Sequence, residues 1–280
     1  MQLRVINVVY LGRVDYTTAL GLQQTLVHLV KQGQIHHTLL LLEHPPVITL
    51  GRNASAVNIV ASRDFLMSKG IELVETNRGG DVTFHGPGQL VGYPIFDLRA
   101  FTPHMGAIQF VRKIEETLIR TCGDLGVVTQ RIPKLTGVWT GGQDEAGPGK
   151  IAAIGVHISR AVTSHGFALN IHTNLDYFKL IVPCGIADKP VTSLAQEMSV
   201  FSPERKVPSL EEASEMVSRN FGRVFEAQTL WLESLDDLFS AERVSLEQVS
   251  AEQAPAPQDT PARAPEKLRR IAGEEDTRLA

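Results

Sequence analysis

Between Arg78 and Leu98 the chain reads RGGDVTFHGPGQLVGYPIFDL, and no other stretch restricts the fold so strongly. Glycine at 79, 80, 86, 88 and 92, with proline at 87 and 94, argues against a helix anywhere in the block. Its two halves carry strand-like alternation on either side of the turn His85-Gly86-Pro87-Gly88. Arg78-Gly79-Gly80 is not a dinucleotide fingerprint. Its glycines either let the backbone approach a ligand or serve a tight turn.

Around this block the patterning predicts strands at 4–10, 38–42, 47–50, 71–76, 135–140, 151–160 and 166–172. A helix is expected at 15–31, with Tyr16, Ala19, Leu22, Leu26, Leu29 and Val30 near one face. A short helix is expected at 64–69 and a long one at 104–125. The long helix has Ile108, Val111, Ile114, Leu118, Cys122 and Leu125 as its apolar stripe, with Arg112, Lys113, Glu115, Glu116 and Arg120 off it. Residues 141–149 read as a loop and 176–181 as a helical turn. The last core element is expected to be a helix at 209–225, opened by a Ser209/Glu212 capping box. Strands come in consecutive runs without a strict βαβ rhythm. The expected class is α+β (mixed α/β), a mixed β-sheet with helices packed outside, in one domain over 1–240. Residues 241–280 contain four prolines and no aromatic residue, so this Pro/Ala/Glu-rich segment is expected to be a disordered tail.

Several function classes fall away on composition. A net charge of -4 and no Lys/Arg cluster leave no field for nucleic acid. The longest purely aliphatic run, 39–42, is far too short to span a bilayer, and residues 1–16 show no leader pattern, so a cytoplasmic protein without a membrane partner is expected. Two cysteines make no disulfide framework, and neither they nor the nine histidines show metal-ligand spacing, so no metal and no cofactor are expected. Residues 142–150 superficially suggest a phosphate loop. Asp144 stands where that loop needs glycine, and Ile151 where it needs Ser or Thr.

The chemistry then rests on few groups. Cys122 continues a helical apolar stripe and reads as a small core hydrophobe. Cys184 sits in the turn Val182-Pro183-Cys184-Gly185-Ile186; on local context alone it is either a buried loop cysteine or a nucleophile. A catalytic thiol needs a partner that favours thiolate, and the candidates are Lys150, His85, His157 and His165. Lys150 closes the glycine-rich loop and opens an apolar strand, where an ammonium would face a low-dielectric surface. The bland alternative is a surface lysine.

Taken together these pieces resemble the lipoyl(octanoyl) transferase family. The resemblance rests on the 78–98 block, on Gly137-Val138-Trp139, on KIAAIGV at 150–156, on SHGFALN at 164–170 and on Pro183-Cys184-Gly185-Ile186, in that order, and it covers roughly residues 3–225. It implies the biotin/lipoate protein ligase-like fold. It also implies transfer of octanoyl from octanoyl-acyl carrier protein to a lysine of lipoyl domains, the first step of endogenous lipoate synthesis. The acceptors implied are the lipoyl domains of 2-oxoacid dehydrogenase complexes and the glycine cleavage H protein. Cys184 would carry the acyl group as a thioester, and Lys150 would lower the thiol pKa and act as acid and base. Arg78, Gly79, Gly80, Asp81, Val82, Thr83, Phe84 and His85 would bind substrate, together with Ala153, Ile154, Gly155, Gly166, Phe167 and Ala168. His85 would orient Lys150 or the acyl carbonyl. Two rivals stand beside this reading: an ATP-dependent lipoate or biotin protein ligase, which needs no nucleophilic cysteine, and a non-catalytic acyl-carrier-binding module.

Overall fold

The computed structural model of the protein describes residues 4–141, 147–182 and 189–241. A mixed sheet forms the frame. Its strands are β1 (Arg4–Arg13), β2 (His37–Glu43), β6 (Gln89–Ile95), β7 (Thr129–Ile132), β8 (Leu135–Thr140), β9 (Lys150–Ser159), β10 (Val162–Asn170) and β11 (Ala227–Leu232), ordered β11-β1-β2-β6-β10-β9-β8-β7. β1 runs parallel to both β2 and β11; the remaining pairs are antiparallel. A second sheet places β3 (Val47–Leu50) between β4 (Glu72–Glu75) and β5 (Val82–His85).

The two halves of the glycine-rich block thus enter different sheets. β5 pairs with β3, and β6 lies between β2 and β10. The glycine turn carries the chain from one sheet to the other, and this brings the block against β9 and β10.

Helices cover both faces of the main sheet. α3 (Ala107–Asp124) and α5 (Leu210–Phe225) pack together on one face, over Leu39, Leu41, Leu90, Phe167 and Leu169. α1 (Tyr16–Lys31) covers the other face over Leu40, Leu42, Val91 and Ala168. β2 is buried throughout, which explains its unbroken Leu run. Asp15 caps α1 through the Thr18 N–H, and the Ser209/Glu212 capping box opens α5 as expected. α2 (Arg63–Ser68) covers the small sheet, with Leu66 in a third core beside Ile48, Val82 and Phe84.

The structure departs from the sequence reading in places. Ile108 is 79 % exposed, because the buried stripe of α3 starts at Phe110 and runs through Ile114, Leu118 and Cys122. At 100° per residue, Ile108 points away from Phe110. Glu115, expected off the stripe, is fully buried and ion-paired to Arg112 and Arg131. β7, α4 (Leu194–Phe201), β11 and α6 (Leu235–Ala241) were not anticipated, and the core does not end at α5: Leu238 is fully buried. Residues 242–280 lie outside the described residues. Among the described residues, no helix is long and apolar enough to cross a membrane.

Candidate active site

A cavity lies between the β9–β10 pair and the segment that leads into β5. It holds about 460 Å³ of empty space, part of it open to solvent. One wall is Arg78, Gly79, Gly80, Thr83 and His85. The facing wall is Ala153, Ile154 and Gly155 on β9 with Gly166, Phe167 and Ala168 on β10. Tyr16, Val91, Tyr93 and His165 complete it. A smaller lobe shares Thr83, Ala153 and Ala168 with the first, and adds Gln89, Lys150, Asn170, Phe178 and Val191. Most of the residues implied by the resemblance therefore meet around one space, and Lys150 is at its inner lobe.

Asp81, Val82 and Phe84 do not line it. Strand alternation turns Thr83 and His85 to the cavity and Val82 and Phe84 to the third core, where Phe84 stacks on Tyr177 at 4.7 Å. Asp81 accepts from Ser55 N at 3.2 Å and from Asn58 Nδ2 at 2.5 Å. It thereby fastens the 56–58 turn, whose Asn58 carbonyl accepts from Val182 N at 2.7 Å. Asp81 thus anchors the chain just before Cys184.

The glycines let one backbone lie against another. Gly79 N–H donates to Val156 O at 3.0 Å, and a Cβ on Gly155 would fall 2.6 Å from Gly79 O. This is neither a bare turn nor ligand approach alone; the loop is laid directly on β9. Arg78 fixes the same loop, donating from Nε and Nη2 to Thr49 Oγ1 and O at 3.0 and 2.6 Å and from Nη1 to Gly79 O at 3.0 Å.

Lys150 is the first residue of β9 and is 8 % exposed. Both of its backbone groups bond to the chain that follows Cys184: its N–H donates to Pro190 O at 2.8 Å and its carbonyl accepts from Thr192 N at 3.0 Å. Its Nζ lies 4.7 Å from the Trp139 ring centroid.

The histidines are a different population. Burial, aided by the charges of His44 and Arg78, pushes His85 down to about 3. Burial holds His165 at about 3 and His44 at about 4. All three are neutral at physiological pH. His85 Nδ1 lies 2.8 Å from Gln89 Oε1; Gln89 Nε2 donates to Phe84 O and Asn170 Oδ1; Asn170 Nδ2 donates to Thr192 O at 2.9 Å. Two backbone carbonyls fix this relay, so the proton of His85 is on Nδ1 and Nε2 is an acceptor. His44 Nε2 pairs with the Tyr93 hydroxyl at 2.7 Å. His165 Nε2 pairs with Asn77 Oδ1 at 2.7 Å. His157 is outside the cavity lining.

Tyr16, Gln89, Tyr93 and Asn170 were not singled out as binding residues by sequence. Tyr16 reads as one more residue of an apolar stripe, and only the approach of α1 to the 78–85 segment gives it a second role. Cys122 is fully buried on α3, and desolvation pushes its thiol up to about 12, so it is inert as a nucleophile. Cys184 lies outside the described residues.

Residues 15–222 match the family model of the lipoyl protein ligase A/B catalytic domain. The chain is 61% identical to an octanoyltransferase of Koribacter versatilis, over 95% of this chain and 96% of that protein. It is 56% identical to an octanoyltransferase of Acidobacterium capsulatum, over 84% and 96% respectively. The fold is shared with a bi-partite lipoate protein ligase from Thermoplasma acidophilum, at a TM-score of 0.64 and 17% identity, over 88% of this chain and 92% of that one. With such coverage at both levels, the chain belongs to the lipoyl protein ligase A/B catalytic-domain family, on its octanoyltransferase branch, and is an acyltransferase.

Proposed function

We propose that the protein moves an octanoyl group from octanoyl-acyl carrier protein to a specific lysine of a lipoyl domain, through a thioester on Cys184. Lipoyl domains of 2-oxoacid dehydrogenase complexes and the glycine cleavage H protein are the acceptors. The observation that carries the reading is the position of Lys150. It lines the inner lobe of the cavity, and its backbone is bonded to Pro190 and Thr192, which follow Cys184 in the chain. Val182, two residues before the cysteine, is tied to Asn58, and Phe178 lines the same lobe as Lys150. Cys184 is thus at most about 7 Å of extended chain from an anchored residue.

In the first step the Cys184 sulfur attacks the donor thioester. The new S–C bond replaces the old one, and the thiol proton passes by way of Lys150 to the departing carrier thiolate. One thioester replaces another, so little driving force is needed. In the second step the acceptor amine attacks the acyl-enzyme, the C–S bond breaks, and the amine proton passes through Lys150 to the Cys184 thiolate. His85 Nε2, an acceptor, orients the incoming amine. Gly79 N–H is engaged by Val156 O, so the oxyanion is held by other backbone donors. The acyl chain lies along Ala153, Ile154, Gly155, Gly166, Phe167 and Ala168, where each buried methylene contributes about 0.8 kcal/mol.

Intact mass after incubation with octanoyl-acyl carrier protein, without ATP, tests this. One octanoyl group on Cys184, absent from Cys184→Ala and discharged by a lipoyl domain, is the expected result. Acylation that needs ATP, or that persists in Cys184→Ala, would overturn it.

A further inference from the structure

Lys150 and Trp139 are cross-strand partners on β9 and β8, so their side chains leave the sheet on the same side. The indole is 1 % exposed, its Nε1–H donates to Leu135 O at 3.3 Å, and Lys150 Nζ lies over its ring. The strand beneath is pinned. Gly137 N–H donates to the buried Glu115 at 3.2 Å. Gly137 has φ +128°, and a Cβ there would fall 2.7 Å from Ala152 O and 3.5 Å from Lys150 Cε. The glycine is therefore required by the Ala152 carbonyl, and the Lys150 stem passes at ordinary contact distance from it.

We propose that Trp139 is a positioning residue for the transfer reaction: its π face holds the Lys150 ammonium at the inner lobe. This rests on the reading that Lys150 handles the reaction's protons. A carboxylate in that place would fix the ammonium and compete for its proton. An aromatic face attracts the cation but itself offers no site for the proton, so the ring fixes the lysine without competing for that proton. The lysine stem has four rotatable bonds, and a fixed site for its charged end selects one orientation among many.

The test replaces Trp231 with Phe, so that Trp139 is the remaining tryptophan of the two in the chain. Trp231 is 39 % exposed on β11 and bonded to Ser218, away from the cavity. The protein is then made with mono-, di- and trifluorotryptophan, which weakens the ring's hold on a cation with little change of shape. We expect kcat to fall stepwise, by about five- to ten-fold with three fluorines. KM for the donor stays within about two-fold, as for an interaction that acts on the chemical steps. Trp139→Phe should retain more activity than Trp139→Leu. A flat series beside an inactive Lys150→Met overturns the positioning role alone. A flat series beside an active Lys150→Met removes the Lys150 reading beneath it as well.

Discussion

The two lobes of the cavity hold their basic side chains in different ways. The inner lobe holds one lysine, set over an aromatic ring and strapped by its backbone to the chain beyond Cys184. In the outer lobe the Arg78 guanidinium is bonded to Thr49 and Gly79, and His85 and His165, with His44 behind them, are kept neutral by burial and committed to fixed partners. A histidine pushed down to about 3 is a weak base at neutral pH. The histidine count of a site therefore says little about where protons move. In the proposed reaction the histidines shape and orient, and the lysine end carries the proton transfers.

The largest effect expected from breaking this division is at the lysine. Lys150→Met should lower octanoyl transfer by about a hundred-fold or more, the loss typical of a removed acid–base group. Lys150→Arg should keep a cation but accept no proton, so acyl-enzyme accumulates when a lipoyl domain is present. Rapid-quench intact mass follows both. Normal transfer by Lys150→Met would move the proton work to the other lobe.

Next comes the seam between the lobes' walls. Gly155→Ala sets a methyl against Gly79 O and should destabilise the fold by about 1–3 kcal/mol. Urea unfolding measures this, and donor KM should rise with it. An unchanged midpoint and KM would show that the loop is not seated on β9.

The histidine end should declare itself through pH. His85 and His165 stand at about 3, and His44 and the more distant His37 at about 4, all below the ordinary 6.5. The unfolded chain therefore binds protons that the fold excludes. Stability is intact above pH 6.5 and declines as pH falls from there toward 3, by about 1.4 kcal/mol per pH unit for each group. His85→Gln should flatten that slope by one proton. An equal slope in the variant would mean that His85 is charged in the fold.

The smallest effect is expected at the helical thiol. Cys122→Ala should cost about 1 kcal/mol of stability through lost packing and leave transfer rates unchanged. A kinetic defect without a stability change would count against its role as a core residue.

Part of this arrangement is legible in the sequence: patterning marks most of the strands, and the family resemblance carried by the 150–156 and 164–170 stretches implies the facing wall of the cavity. The rest depends on partners that local pattern does not carry. The sequence VTFH and the sequence QLVGYPI each say strand, but nothing in them says that they join different sheets. Glu115 reads as one charge among several on a helix; its burial depends on Arg131 and on a glycine two strands away. β11 is half-exposed, and its six residues follow a helix that reads as a natural end to the core. α4 is only eight residues long, too short for its periodicity to stand out. Trp139 faces Lys150 only because the β8–β9 register shifts between Val138 and Trp139.

The pairing of β1 with β11 has a consequence for how the protein is made. Arg4 lies opposite Ala227, so the first strand among the described residues waits for the last of them. At about 5–20 residues per second, roughly ten to forty-five seconds pass before that edge is covered. Meanwhile the stretch Val5-Ile6-Asn7-Val8-Val9 offers unpaired backbone along an apolar ribbon, which favours pairing with other chains. A ribosome stalled before Ala227 would therefore hold a nascent chain with an open, sticky edge, and release of such fragments should give aggregates rather than a smaller folded domain.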